Sequence, residues 1–370
     1  MALTMKKAHR VLEGCPRVAF IRALTLPLAC ASYGAWSQTV PSDLVDVSIE
    51  DLFSANVVTE DARASDQRKW YLAYRYGRAE FDEYRLGTRK LRYEDVFWSG
   101  PSAPRTGSNY PVVPTKIQQE VHSVLLGYQY SQSLSARVSI PFIKQSTDHV
   151  SIVPGYDEFN ISSDGVGDVL AVVDYELSRT VNSAWHGVFG LSIPTGSIDE
   201  EGDTPRAPGD QQLPYTMQIG SGTWDLPLGI TYKKYGQHFS GGSDMLAVIR
   251  TGDNDRDYHL GHKFTWGGWV SFTGGQLLEP GLRLSYRWQG EISGEDLSLR
   301  VPNPTYPYPA PVVDPTAFGG QQLDLAVYLD VNIAPRWNLR VEYGQPLWLD
   351  LNGPQSAENY HLSMGVSTTF

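Results

Sequence analysis

The chain has 370 residues, 41 acidic against 30 basic side chains, 41% hydrophobic and 19% charged content, and 35 Gly and 24 Pro. That composition excludes a disordered chain and a long-helix protein, and the net charge of −11 argues against nucleic acid as a partner. Beyond the N-terminus no apolar run approaches the roughly 18 residues a spanning helix needs, which leaves strands as the only way through a membrane.

The first segment reads as an export signal. Lys6, Lys7, Arg10, Arg17 and Arg22 precede an apolar stretch from Ala23 to Ala31, and Ala35-Trp36-Ser37 offers small residues where a signal peptidase cuts, before Gln38. Lipidation at Cys30 is the alternative, but Pro27 occupies a position where that signal favours Leu. Removing residues 1–37 takes five basic and one acidic side chain, leaving 25 against 40, or −15. Cys15 and Cys30 leave with it, so thiol catalysis, disulfide scaffolds and Cys-based metal sites are excluded from the remainder. Residues 38–67 are polar and mixed, and the stretch from Asp43 to Phe53 resembles the lead-in that follows the signal in TonB-dependent receptors. It is expected to be a periplasmic segment ahead of a domain spanning residues 68–370.

From Trp70 onward apolar residues recur at every second position, the period of a strand with one face in an apolar medium and the other in water. Leu282, Leu284, Tyr286 and Trp288 alternate with Arg283, Ser285, Arg287 and Gln289. Strands are predicted at 68–78, 119–130, 134–143, 166–177, 184–193, 222–233, 243–251, 256–272, 280–292, 320–333, 337–347 and 360–370. At 119–130 the spacing of Val121, Val124, Leu125 and Tyr128 fits a helix equally well, and His262 falls on the apolar face of its strand. Segments of ten or more residues exceed the strands of a soluble sandwich and match those of a transmembrane barrel. Short links, such as Ser131-Gln132-Ser133 and Ala334-Pro335-Arg336, alternate with long ones at 79–118, 144–165, 194–221, 293–319 and 348–359, broken only by a short link at 252–255. The expected fold is therefore an all-β, transmembrane antiparallel β-barrel of about 12 strands (10–14) with both termini periplasmic.

Trp70, Trp185, Trp224, Trp266, Trp269, Trp288, Trp337 and Trp348 lie near strand ends, as an interfacial girdle requires. The final segment places Tyr360, Leu362, Met364, Val366, Thr368 and Phe370 on one face. It looks like the terminal strand that the barrel-assembly machinery of Gram-negative bacteria recognises.

Three motifs stand out: Gly165-Val166-Gly167-Asp168, then Gly190-Leu191-Ser192-Ile193-Pro194-Thr195-Gly196-Ser197, then Gly220-Ser221-Gly222-Thr223-Trp224-Asp225. With the hairpin Tyr130 to Phe142, they resemble the outer-membrane transporter family linked to the meta pathway of phenol degradation. The resemblance covers residues 118–235 well and the rest by architecture. It implies an outer-membrane barrel passing small hydrophobic or aromatic compounds, and brings no catalytic residues.

The alternation places Arg75, Arg137, Asp168, Asp174, Glu176, Arg283, Arg287, Asp324, Asp330, Arg340 and Glu342 toward the lumen as candidate pore-lining residues. Facing rows of opposite sign would either orient a polar solute in an open pore or neutralise each other in a closed one. A barrel hydrolase would need His converging with Ser or Asp; His186, His122, His259 and His361 are available, but none lies near a nucleophile motif. The acidic clusters Asp253-Asn254-Asp255-Arg256-Asp257 and Asp199-Glu200-Glu201-Gly202-Asp203 lack the calcium-loop ligand pattern and read as solvated loops. The Pro-rich stretch Pro302 to Pro315 is expected to be stiff, either capping the outer mouth or standing exposed. The expectation is a channel in the Gram-negative outer membrane, with lipid, the assembly machinery and a small solute as partners and neither cofactor nor metal. A non-conducting barrel is its rival.

Overall fold

The computed structural model describes Thr39–Val40 and residues 69–370. The signal, its cleavage or lipidation, and all of the lead-in but Thr39–Val40, which pairs with Gly319–Gly320, lie outside the described residues. Eleven strands close into one antiparallel ring: β1 (Lys69–Gly87), β2 (Val112–Gln129), β3 (Leu134–Ser151), β4 (Val169–Arg179), β5 (Ser183–Ile193), β6 (Asp225–Lys234), β7 (Phe239–Arg250), β8 (Lys263–Phe272), β9 (Leu278–Gln289), β10 (Gly319–Ala334) and β11 (Trp337–Thr369). Each pairs with its neighbour in sequence, and β11 returns to β1, where Trp70 and Phe370 exchange backbone hydrogen bonds at 3.0 and 2.9 Å. Two short strands, Arg89–Leu91 and Glu158–Val166, flank the ring on β1 and β3.

The last strand resolves a parity problem. An antiparallel ring needs an even number of passes, and β11 is antiparallel to β10 through Trp337–Leu351 and to β1 through Leu351–Thr369. Because β1 and β10 themselves run in opposite directions, the chain of β11 must reverse between those two stretches. It therefore crosses the wall twice, so the eleven strands make twelve passes. The predicted loop at 348–359 is thus mostly strand, with the reversal near Asn352-Gly353-Pro354.

Burial is inverted relative to a soluble protein. Along β3, Val138, Ile140 and Phe142 are 41–48% exposed, whereas Arg137, Ser139 and Gln145 are at most 7% exposed. Water would penalise this arrangement, and a bilayer around a polar lumen favours it. The outer apolar band includes Leu72 and Tyr74 on β1, Val124 and Leu126 on β2, Val173 and Tyr175 on β4, and Leu282 and Leu284 on β9. On β1 and β2 it ends at Tyr76 and His122, above which Arg78 pairs with Glu120 at 3.0 Å and Lys116 with Glu80 at 3.1 Å. Strands β1–β3 run on past that edge, which is why they exceed their predicted lengths. Replacing Ile140 with arginine in the middle of the band is expected to cost about 2–4 kcal/mol. Refolding into lipid vesicles across a urea series measures it, and an unchanged midpoint would remove the bilayer from this face.

Exposed Trp70, Trp185 and Trp337 ring the end where β1 starts and β11 finishes, the terminal end, and Trp224 and Trp348 the other. Trp269 departs from the expected girdle. It shares the inward face of β8 with Thr265 and Ser271, its ring against Gly242 of β7, where a Cβ would stand 2.9 Å from the indole.

Links at the terminal end are short (130–133, 180–182, 235–238, 273–277 and 335–336), and those at the opposite, loop end are long, except the tight reversal at 352–354 within β11. The predicted exception at 252–255 disappears because β8 begins at Lys263, so 251–262 is a long link. That boundary also corrects His262: it precedes the strand, and its Nδ1 accepts from the Arg250 backbone N–H at 3.1 Å. The segment 119–130 is strand, not helix.

Candidate functional site

The inward residues of twelve passes enclose the lumen, and its charged groups fall into two tiers. In the terminal half, Asp330 pairs with Arg340 at 3.4 Å, and Arg340 also reaches Glu342 at 3.5 Å. The Arg340 guanidinium lies over the Tyr328 ring, 3.9 Å from its centroid. Arg283 pairs with Asp244 at 2.7 Å, Asp174 with His186 at 3.0 Å, and Glu176 with Arg179 at 2.6 Å. Arg75 sits at an inward position between Ser123 and Gly365, and Arg137 between Gly127 and Val172. The second tier, toward the loop end, centres on Arg287, which reaches Asp324 at 2.8 Å and Glu358 at 3.0 Å. Glu358 also contacts His361 at 2.5 Å. Beside it, Arg250 and Asp225 pair at 2.6 Å with both side chains fully buried.

Above the second tier the long loops turn inward and pack on one another. Tyr215, Ile219, Tyr258, Leu260, Ile292, Leu299, Val312, Val313 and Phe318 form an apolar core with Phe81, Ile117, Val121 and Ile143 of β1–β3. Tyr215 meets Tyr258 and Phe318 edge-on, at 4.8 and 5.7 Å between ring centroids, and its hydroxyl accepts from the Asp296 N–H at 2.9 Å. The Pro-rich stretch joins this core through Ala310, Val312 and Val313, so it caps the lumen from within. We call this assembly the plug. Arg256 ties its loops together, pairing with Asp199 at 2.7 Å and Asp296 at 3.1 Å. The acidic clusters are thereby engaged by other side chains of the protein, Asp199 by Arg256 and Asp253 by the His259 ring at 2.6 Å.

The three glycine-rich motifs meet in one place. Asp168 turns its carboxylate to loop donors: Oδ1 accepts from Gly196 N–H at 2.8 Å, and Oδ2 from Ser221 N–H at 2.8 Å and Ser221 Oγ at 2.7 Å. Thr195 Oγ1 donates to the Gly167 carbonyl at 2.9 Å. The expected pore-lining role of Asp168 gives way to anchoring the loop that carries Tyr215 and Ile219. Gly196 and Gly220 touch backbone to backbone, which only residues without a Cβ allow. Changing Gly220 to alanine would set a methyl 2.4 Å from the Gly196 oxygen and 2.7 Å from Asp168 Oδ1, an overpacking expected to cost about 1–3 kcal/mol. Limited proteolysis should then nick the 194–224 loop first. Parental resistance would show the junction to be tolerant.

No family model and no curated protein matches the chain. Among solved structures, it is similar to the COG4313 outer membrane channel from Pseudomonas putida F1, with a TM-score of 0.54 and 15% identity over 85% of this chain and 100% of that one. The fold is that of an outer-membrane β-barrel. Similar at lower scores are the TodX monoaromatic hydrocarbon channel deltaS2 mutant (0.45, 10% identity, 86% and 93% covered) and the translocator domain of autotransporter NalP from Neisseria meningitidis (0.43, 9% identity, 88% and 96% covered).

Within this barrel His186 and His122 stand on opposite faces of the wall. His186 is buried against Asp174 inside, and His122 accepts or donates on Tyr74 Oη at 2.7 Å outside, so the two cannot converge on one substrate. Asp244, Arg250 and Glu358 escaped the sequence reading. The signal for Glu358 was hidden because its segment reads as loop; Asp244 and Arg250 were legible as charges at alternate positions of β7.

Proposed function

We propose that this chain is a passive channel of the Gram-negative outer membrane for small molecules, with the start of β1 and the end of β11 on the periplasmic side. The observation that carries the reading is the contrast between a lumen ringed by charged side chains and an outer wall of exposed apolar ones, closed at one end by inward-folded loops. A merely structural barrel has no need of a charge-lined interior whose carboxylates and guanidiniums, among them Asp330, Arg340 and Glu342, keep 15–18% of their side-chain surface accessible. Apolar Leu125, Leu170, Val172, Val188, Leu246 and Val248 share the lumen with those charges, which suits a solute with an apolar or aromatic body. The face carrying Tyr360, Leu362, Met364 and Val366, ending at the Phe370 seam, would serve the assembly machinery before it meets lipid.

The packed plug favours a second reading, a barrel that does not conduct. Purification from outer membranes, a test of gel mobility before and after boiling, and planar-bilayer recording separate the two. The channel reading expects a heat-dependent mobility shift and discrete conductance steps whose ion selectivity follows the charged tier. A heat-shifting barrel that stays silent at every voltage would support the structural one.

A further inference from the structure

Arg137 differs from the other lumenal cations. It is 7% exposed, its Nε is buried without a hydrogen-bond partner, and it pairs with no carboxylate among the described residues. The carboxylate nearest along the ladder, Asp174, lies opposite Ser135 and is engaged by His186 at 3.0 Å. Two residues on, facing the same way, Ser139 is 1% exposed and its Oγ also lacks a partner. A buried guanidinium and hydroxyl left unpaired are costly, and an anion accepting from both removes the cost.

The surroundings define the rest of that anion. Ser139 lies between Leu125 and Leu170, and Arg137 between Gly127 and Val172. At Gly127 the missing side chain is replaced by the Tyr71 ring, whose Cζ occupies the space a Cβ would need. Leu125, Leu170, Val172 and Tyr71 belong to one buried apolar cluster. A bare inorganic ion would leave that wall without a partner, whereas a planar carboxylate matches the guanidinium fork and brings an apolar body with it. We propose that Arg137 and Ser139 bind the carboxylate of a small amphiphilic anion whose body rests on Leu125, Leu170, Val172 and the ring of Tyr71. That the site serves passage through the lumen rests on the channel reading above; binding itself does not.

The test is calorimetric titration of the full chain in detergent with benzoate, with benzyl alcohol as the neutral counterpart and acetate as the anion without a body. Benzoate should bind more tightly than either. Arg137→Gln should weaken it about ten- to hundredfold, the range of a charge-assisted hydrogen bond, and leave benzyl alcohol unchanged. Arg137→Lys should recover part of the loss, and Ser139→Ala should weaken benzoate severalfold. An unshifted heat-dependent gel mobility in each variant shows that the barrel is intact. Equal benzoate affinity in parent and Arg137→Gln, or no benzoate binding by the parent, overturns the site. Conductance is recorded separately: benzoate binding in a silent barrel upholds the site while removing passage, and conductance without benzoate binding does the reverse.

Discussion

Replacing Arg287 with leucine is expected to destabilise the barrel by about 3–5 kcal/mol, because removing one partner from a buried charge cluster leaves the others uncompensated. Here two carboxylates are stranded. Arg287 Nε and Nη2 reach Asp324 Oδ2 at 3.0 and 2.8 Å, and Nη2 also reaches Glu358 Oε2 at 3.0 Å. Gln322 donates to Glu358 at 2.8 Å and His361 contacts it at 2.5 Å, but neither reproduces a cation held between both acids. The cluster also joins β9, β10 and the second pass of β11 from inside, next to the seam with β1. The temperature at which the boiled and unboiled gel bands merge should fall markedly. Combining Arg287→Leu with Asp324→Asn and Glu358→Gln should recover most of the loss, since a neutral polar trio no longer contains a stranded charge. If the single variant converts at the parental temperature, Arg287 is solvated by water and not by its two acids.

Shortening the 290–318 loop to a brief glycine-serine link should raise single-channel conductance by about an order of magnitude, since an apolar constriction excludes water and ions together. The deletion removes Leu299, Val312 and Val313 from the core of the plug and releases the Arg256 clamp on Asp296. The charged tier near the terminal end lies on strands the deletion leaves untouched, so ion selectivity should persist while current grows. Retained heat-dependent mobility would show that the ring still closes. Current equal to the parent's would place the constriction elsewhere, and the second tier around Arg287 would be the next place to look.

The membrane-facing half of the molecule was legible in the sequence. Alternation at Leu282–Gln289 and in the final segment assigns the faces seen in β9 and β11, because a lipid exterior and a wet interior impose the same period-two contrast on every pass. Where that contrast ends, so did the legibility. The upper parts of β1–β3 carry Arg78, Glu80, Lys116 and Glu120 outside and Phe81, Ile117, Val121 and Ile143 inside, a reversal that erases the pattern and made 79–118 read as loop. The second pass of β11 begins at a reversal containing Gly353 and Pro354, which look like punctuation for a long loop. The lumenal candidates were found as inward charges, yet their pairings were not, since Arg287 meets Glu358 only through a closure that joins distant parts of the chain. Asp168 kept its inward parity, but only the meeting of three glycine motifs reveals what it holds.

The seam between β1 and the end of β11 joins Trp70 to Phe370, nearly the full described length apart. Nascent chain emerges in order, so the outer edge of β1 must wait unmatched until the second pass of β11 has been synthesised. Sealing is thus an event of completion, slow because its contact is the most remote the topology permits. A frameshift or early stop anywhere upstream of residue 355 would yield an open ribbon with two adhesive margins, a species a cell would have to hold apart or destroy.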